Sequence, residues 1–392
     1  MSFKQPARVL YKLATSIILL YLVFLQIAWS DSANGPDQAS APELFDKIWG
    51  AATLYRNPEN SAIQSFALVG RYHGQYWSVD ADQGEADGWE NRRIIFGFEA
   101  VLSEDLLFQA QIHVNTDFSH IYEGLYVGFF KWAPKEKDYS VSIGRLDYLF
   151  TGLERSTSSK KMATIERGLL VNQLMPGEVF GLHSKTKIGA STIQAGLFTG
   201  STKEEFGDFH SGEAFTLGVG HELPLFYDKG NLHLDYLYND ADRGSTSFKP
   251  YRNVASLWHQ GSMGAYEMGI DLTTGSGGRD GRSNVWGLTL LPTYELSQNL
   301  FIGGDALQLA LRYQFARGVE PNGLLLQKRY EQEVARGGGD RYQAFYLGFN
   351  YLLNSNKLKF MGGAEYAKME DPVNDGGAYQ GWTYFAGIRL YF

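Results

Sequence analysis

Residues 379–392 read YQGWTYFAGIRLYF and show the pattern that decides the fold. Their apolar residues fall on every second position, namely Tyr384, Ala386, Ile388, Leu390 and Phe392. Successive side chains of a strand point to opposite faces, so this segment is predicted to be a strand with two different faces. A sandwich would also alternate. The aromatic residues near the segment ends instead favour a lipid-facing band with aromatic girdles and a polar interior.

The same period of two recurs along the chain and gives about sixteen predicted strands. They span 65–76, 89–102, 106–117, 121–131, 138–146, 178–188, 191–200, 213–222, 231–240, 252–260, 263–274, 284–296, 306–317, 341–352, 356–369 and 379–392. An even number of spanning strands returns the chain to the side on which it began. We therefore predict an all-β fold, a transmembrane antiparallel β-barrel of about sixteen strands over residues 65–392.

The predicted connections alternate between short turns and longer loops, as expected of bacterial outer-membrane barrels. The loops on the external side span 77–88, 118–120, 147–177, 201–212, 241–251, 275–283, 318–340 and 370–378. Phe392 is the last residue of the final alternating strand. That position is typical of barrels inserted by the outer-membrane assembly machinery, which we expect to be a partner, together with outer-membrane lipid.

Residues 1–30 are predicted to be a signal peptide. Lys4, Arg8 and Lys12 precede an apolar stretch over 13–28, and Ala28-Trp29-Ser30 fits a cleavage site before Asp31. An uncleaved anchor helix is the alternative. Residues 31–64 are predicted to form a periplasmic linker and, over 41–56, a short amphipathic helix that packs on its own domain or contacts a periplasmic partner.

Composition excludes several classes of protein. The 392 residues contain no Cys, which excludes disulfide frameworks and thiolate chemistry, and a mean hydropathy of −0.26 is too polar for a helical membrane bundle. The chain has 35 Lys and Arg against 43 Asp and Glu, so its net charge is −8 and nucleic acid is not an expected partner. Loss of the three signal-peptide cations would leave 32 against 43, a net charge of −11.

The longest predicted loop, 147–177, differs from a free external loop. It carries the cations Arg155, Lys160, Lys161 and Arg167 together with enough apolar side chains to pack on the barrel wall. An inward-folded loop would narrow the pore and place these cations there. An ordinary surface loop with solvated charges is the alternative, and residue types alone favour neither.

In this region the sequence resembles the phosphate-selective porin O and P family. The resemblance rests on Gly70-Arg71, Arg92-Arg93 with Gly97, Ile143-Gly144-Arg145, Phe150, Gly152, Glu154-Arg155-Ser156, Ser158-Ser159-Lys160, Glu166-Arg167, Pro176-Gly177, Gly181, Ala310-Leu311-Arg312-Tyr313 and the last six residues. It is most specific over 138–181. One departure is Leu149-Phe150-Thr151-Gly152, where the family usually has Pro-Phe-Gly.

The resemblance implies a homotrimeric pore of sixteen strands whose third loop folds into the channel. It also implies an anion route lined by Arg and Lys, with phosphate or pyrophosphate as the solute. On the matched positions, Arg71 and Arg93 would contact solute from the wall, and Arg155, Lys160 and Arg167 would do so from the loop. We include Lys161 in that predicted set.

Strand alternation turns further charges toward the lumen. It predicts inward positions for Arg71, Arg93, Lys185, Arg312, Lys359 and Arg389. Of these, Lys185 and Arg312 join the predicted solute-binding residues. Arg92 and Arg145 fall on the lipid-facing parity, which is tolerable only near a strand end. Acids also face inward by this rule, namely Glu99, Asp117, Asp235, Glu267, Asp271, Glu295 and Glu365.

We predict an outer-membrane porin for passive diffusion of small anions such as phosphate. A general or weakly selective porin and a closed structural or adhesion barrel remain alternatives. An enzyme is disfavoured: Ser119-His120 is the nearest candidate pair, and the eight His residues form no metal-binding motif. We expect no catalytic residues, no metal site and no cofactor.

Overall fold

The computed structural model describes residues 41–392 except 118, 202–204, 241–244, 246, 280–281, 302, 320–322 and 372–377. The predicted signal peptide and the linker up to residue 40 lie outside this range. The described part of the chain begins with helix α1 (Ala41–Gly50), and strand β1 (Thr53–Arg56) follows it. The helix predicted over 41–56 is therefore too long, because residues 53–56 pair with the barrel.

The other elements follow in chain order. They are β2 (Ser65–Ala81), β3 (Gly84–Val101), β4 (Leu106–Val114), β5 (Tyr122–Trp132), β6 (Tyr139–Asp147), α2 (Leu153–Ser156), α3 (Leu169–Leu174), β7 (Glu178–Ile188), β8 (Ser191–Ser201), β9 (Asp208–Glu222), β10 (Lys229–Asn239), β11 (Tyr251–Met263), β12 (Tyr266–Gly278), β13 (Val285–Gln298), β14 (Ala306–Gly318), β15 (Leu324–Leu325), α4 (Glu331–Val334), β16 (Gly338–Gly339), β17 (Arg341–Leu352), β18 (Leu358–Glu370) and β19 (Tyr379–Tyr391). No helix within these described ranges is long and apolar enough to cross a bilayer.

Sixteen strands, β2–β14 and β17–β19, form one closed antiparallel barrel, which confirms the predicted fold. Each strand pairs with the next barrel strand along the chain, and β19 closes the ring by pairing with β2. The predicted first external loop, 77–88, is wrong. Strands β2 and β3 continue through it as a paired hairpin, with Val79 opposite Ala86, and leave two residues between them. Three acids of this stretch, Asp80, Glu85 and Asp87, resemble loop residues but lie in the paired strands.

The seam between β19 and β2 is completed by the N-terminal segment. The last β19 pair is Tyr391 with Arg71, so the first residues of β2 extend beyond it. Strand β1 pairs with that overhang, with Arg56 opposite Ser65. The Trp49 indole donates a hydrogen bond to the Tyr391 carbonyl at 2.6 Å. Helix α1 and β1 therefore complete the pairing where the two ends of the barrel meet.

The two faces of the wall differ as the alternation predicts. Outward apolar side chains such as Leu217, Leu234 and Leu257 are exposed, as expected of a surface that contacts lipid. The connection between β6 and β7, residues 148–177, contains α2 and α3 and supplies much of the buried core. We call this connection loop 3. The core therefore lies inside the barrel and not between two sheets.

Candidate site: a constricted cationic passage

Loop 3 enters the barrel and is attached first to two carboxylates of the wall. The Gly152 amide donates to Asp235 at 3.0 Å, and the Leu153 amide donates to Asp271 at 2.8 Å. Glycine on the wall makes room for the loop. A Cβ at Gly269 would lie 2.3 Å from the Leu153 side chain. These contacts fix the start of the loop against β10–β12.

Arg312 on β14 holds the middle of loop 3. Its guanidinium pairs with Glu154 of the loop at 2.6 Å and with Glu365 of β18 at 2.7 Å. It also donates to the carbonyl of Glu166 at 2.6 Å. The side chain is only 2% exposed. Arg312, which we predicted to bind solute, is instead an anchor of the loop with both carboxylate partners in place.

The return half of loop 3 is held through its backbone carbonyls. Lys359 donates to the carbonyl of Met162 at 2.6 Å, and Arg389 donates to that of Ile165 at 2.9 Å. Asn350 donates to the carbonyl of Ala163 at 2.8 Å. Three neighbouring strands, β17–β19, thus supply the donors. Their inward polar side chains bind the loop backbone, a use that alternation alone does not reveal.

A cavity of about 190 Å³ remains where loop 3 faces β3 and β5–β7. It is lined by four cations and two acids, with polar and apolar residues between them. The lining includes Arg93, Arg155, Arg167, Lys249, Asp147, Glu178, Tyr126, Ser159 and Asn172. Three of the predicted solute-binding residues, Arg93, Arg155 and Arg167, therefore meet at one passage.

The cations of this cavity differ in how their charge is compensated. Arg155 pairs with Asp147 at 2.8 Å, whereas Arg167 donates to the carbonyls of Glu154 and Thr157 at 3.1 and 2.7 Å. Burial lowers the pKa of Arg167 to about 10, so it stays charged at neutral pH. Within the described ranges, neither Arg93 nor Arg167 has a carboxylate within 4.0 Å. The cavity therefore contains two arginines that have no carboxylate in direct contact among the described residues.

A β-bulge turns a further arginine into the lumen and overturns one parity prediction. His73 pairs with Arg93, but Gly74 pairs with Asn91, so Arg92 is an extra residue on β3. An extra residue in a bulge interrupts the alternation, so two consecutive side chains can point to the same face of the sheet. Arg92 consequently turns inward and pairs with Glu166 at 2.7 Å. Burial alone would raise the pKa of Glu166, yet Arg92 and Arg93 hold it well below its usual range.

Arg145 behaves as the sequence predicts for a charge on the lipid-facing parity. It lies two residues before the end of β6. Its guanidinium donates to the carbonyl of Tyr126 at 3.3 Å and to that of Glu205 at 3.2 Å.

The other predicted solute-binding residues lie around the cavity. Arg71 donates to Tyr126 at 3.3 Å and to Ser159 at 2.6 Å, so it supports two residues of the lining. The Lys160 ammonium lies 4.8 Å from the centre of the Tyr391 ring, and burial lowers its pKa to about 8. Lys161 and Lys185 are exposed and are not part of the cavity lining.

Sequence reasoning missed Lys249, Asp147 and Glu178. Lys249 lies in the connection between β10 and β11, and no motif marks it. Asp147 and Glu178 lie opposite each other where loop 3 leaves and rejoins the wall. Their positions at the two ends of the loop are the one signal that could have indicated them.

The connection between β14 and β17, residues 319–340, also enters the mouth of the barrel, and we call it loop 7. Its Arg329 pairs with Glu90 at 2.9 Å, and the Tyr330 hydroxyl lies 3.0 Å from Glu90 and 3.3 Å from Glu166. Burial raises the pKa of Glu331 to about 7. Loop 7 thus meets loop 3, and its Gln327 accepts a hydrogen bond from Asn172 of the cavity lining at 2.9 Å.

A closed sixteen-stranded barrel narrowed by an inward loop is the fold of outer-membrane porins, and this chain has that fold. Its residues 66–244 match the family model of phosphate-selective porin O and P, which confirms the resemblance seen in the sequence. The family and the fold indicate a channel and not an enzyme, located in the outer membrane. No curated protein matches the sequence.

Solved structures share the fold at low identity. An anion-selective porin from Comamonas acidovorans aligns with a TM-score of 0.57 and 12% identity over 84% of this chain and 99% of its own. OprB of Pseudomonas putida aligns with a TM-score of 0.56 and 12% identity over 83% and 94%. A trimer form of OmpT from Vibrio cholerae gives 0.52 and 12% over 85% and 100%. Such likenesses establish the fold alone.

Proposed function

We propose that this porin passes small inorganic anions and favours phosphate or pyrophosphate. The observation that carries the proposal is the pair Arg93 and Arg167 at the cavity, neither of which has a carboxylate within 4.0 Å in the described structure. Arginine presents a planar fork of donors that suits phosphate oxygens and keeps its charge. Rings of Arg and Lys are the usual filter of anion pores.

The overall charge of −8 does not oppose this proposal. Charges farther apart than about 8–10 Å are largely screened at physiological salt, so the groups at the narrowest point decide which ions pass. There, four cations face two acids, and one of those acids pairs with Arg155. The family name and the anion-selective Comamonas porin support the same direction.

We also propose how the chain reaches its site. Cleavage before Asp31 would release it into the periplasm, and the assembly machinery would recognise the strand that ends in Phe392. In the barrel, the Phe392 backbone amide and carbonyl bond to Gly70, both at 3.1 Å, and its ring lies 6.4 Å from that of Phe96. The working unit would be a homotrimer, like the trimer form of OmpT.

Single-channel currents in a planar bilayer test the solute preference. Under a KCl gradient we expect a reversal potential on the chloride side, and block of the current by phosphate. Arg93→Gln and Arg167→Gln should each weaken the block about tenfold or more, since hydrogen bonds to charged groups contribute ~1.5–3 kcal/mol. Lys187→Gln removes a cation that is exposed and paired with Glu222, and serves as the matched control.

Three outcomes separate the alternatives. Block that is weakened in both arginine variants but not in the control supports a phosphate route. A reversal potential near zero without block leaves a weakly selective porin. No conductance in any variant indicates a closed barrel with a structural role.

A further inference from the structure

Three inward side chains form a row across neighbouring strands β3, β2 and β19. His73 of β2 pairs with Arg93 on one side and with Arg389 on the other. Directly opposite residues on antiparallel strands have their Cβ atoms about 4.5–5.5 Å apart. Arg71 lies two residues before His73 and shares its face. The register therefore gathers three guanidinium groups around one imidazole.

Several donor atoms of this row have no acceptor. In the described part of the chain, no hydrogen-bond partner contacts Arg71 Nε, His73 Nε2 or Arg389 NH1. The three residues are 6%, 1% and 3% exposed, so water at the surface does not reach them. Their other atoms are occupied, because Arg71 donates to Ser159 and Arg389 donates to Gln75 at 2.6 Å each.

The imidazole contributes a donor and not an acceptor to this row. Arg93 NH1 lies 3.5 Å from His73 Nδ1, and a guanidinium can only donate. Nδ1 therefore accepts, and the proton of a neutral His73 resides on Nε2. All three unpartnered atoms are thus N–H groups.

Two arginines of the row also lack a carboxylate in direct contact within the described ranges. The neighbouring Arg92, which is not part of the row, has Glu166 as its partner. Neither Arg71 nor Arg389 has a carboxylate within 4.0 Å among the residues that the structure describes. A buried charge without a counter-ion is strongly disfavoured, so negative charge is needed at this position.

We infer that Arg71 Nε, His73 Nε2 and Arg389 NH1 bind one small inorganic anion of halide size beneath loop 3. The lining of the cavity includes Arg93 but not these three residues, so the site lies beside the cavity and not in it. The anion is a resident counter-ion. It fixes the two arginines that hold Ser159 and the Ile165 carbonyl, and it thereby stabilises loop 3. This inference does not depend on the solute that the porin transports.

Anomalous diffraction from bromide-grown crystals of the mature protein tests the site directly. We expect a bromide peak within hydrogen-bond distance of the three nitrogen atoms. In solution, the thermal unfolding midpoint should be higher in chloride or bromide than in gluconate at equal ionic strength. Arg389→Gln should abolish both effects, and His73→Phe should lower the apparent halide affinity about tenfold by removing one donor. Arg341→Gln, at an exposed Arg–Glu pair on the rim, is the control.

Four results would overturn the inference. Density without an anomalous signal means bound water, and a bromide peak without halide-dependent stability means an adventitious ion only. Halide stabilisation that survives in both His73→Phe and Arg389→Gln places the effect elsewhere. Phosphate that stabilises as well as chloride does, and loses this effect in Arg389→Gln, makes the site part of the transport route. Phosphate block of the current is a separate readout, so the two proposals can fail independently.

Discussion

The two sides of the lumen differ in how fully their inward charges are paired with loop 3. On the side of β10–β14 and β17–β19, inward charges are bonded to loop 3, and Arg312 has two carboxylate partners. On the side of β3 and β5–β7, Arg92 and Asp147 also pair with loop 3, but Arg93 faces a cavity without such a partner in the described residues. We call these the anchoring wall and the open wall. The comparison shows that the role of an inward arginine depends on the groups it contacts and not only on the strand face it occupies.

Loss of Arg312 should have the largest effect on stability, because it leaves two buried carboxylates at the anchoring wall without their cation. Arg312→Gln leaves Glu154 and Glu365 buried without their cation, which we expect to lower the free energy of unfolding by about 3–5 kcal/mol. Loop 3 should detach, and single-channel conductance should rise. Urea unfolding in lipid vesicles measures the first effect. The double variant Arg312→Gln/Glu365→Gln should recover part of the loss, and no recovery would contradict the pairing.

The carboxylate tethers of loop 3 should have a smaller effect. Asp271→Ala removes the acceptor of the Leu153 amide and of the Ser256 and Thr273 hydroxyls. Leaving such buried donors unpaired costs about 1–3 kcal/mol. We expect a matching loss of stability and increased open-channel current noise. Asp271→Asn keeps an acceptor and should be milder, so equal damage in both variants would argue against the tether.

Arg93→Gln on the open wall should be nearly neutral for stability. This residue has no carboxylate within 4.0 Å in the described ranges, so its removal strands no charge. Arg93→Gln should therefore weaken phosphate block with little change in the free energy of unfolding. Arg312→Gln should mainly lower the free energy of unfolding. The same urea unfolding experiment provides the measurement. A loss as large as that of Arg312→Gln would erase the distinction between the two walls.

The smallest expected effect is a pH dependence where loop 7 contacts the anchoring wall. Burial raises the pKa of Glu331 from 4.5 to about 7, while its carboxylate accepts bonds from the Gln327 amide and the Tyr342 hydroxyl. The folded protein therefore prefers protonated Glu331. Its contribution is full below pH 4.5 and is lost as the pH rises through about 7.

Thermal unfolding between pH 4.5 and 8 measures this effect. Glu331→Gln should flatten the dependence, because its side chain does not titrate. The exposed, paired Glu222→Gln should leave the dependence unchanged. An unaltered slope in Glu331→Gln would assign the titration to another group.

Strand positions were predictable because the alternation of polar and apolar residues is a local property. The sixteen strands and the inward direction of Arg93 follow from it directly. Local rules failed where one residue interrupts the period, as Arg92 does in the bulge of β3. They also failed for the first external loop, where acids of a tall hairpin resemble loop residues.

Partners across the lumen were not predictable from the sequence. Arg312 meets Glu154 across a separation of 158 positions, so alternation indicates that it faces inward but not what it contacts. Lys249 and loop 7 reach the lumen from connections between strands. These connections show no alternation of polar and apolar residues, so the sequence indicates no direction for their side chains. The family resemblance indicated Arg93, Arg155 and Arg167 together because it compares residues by their position in the sequence. It carries no information on which side chains those residues contact.

The seam described above has a consequence for the time course of folding. Trp49 and Tyr391 are 342 positions apart, and the overhang of β2 can be covered only after β19 has arrived beside it. Contacts over such long separations form late, since the entropy of closing the intervening chain opposes them. The Trp49 indole is therefore an intrinsic probe of barrel closure, because its environment changes when β19 pairs with β2.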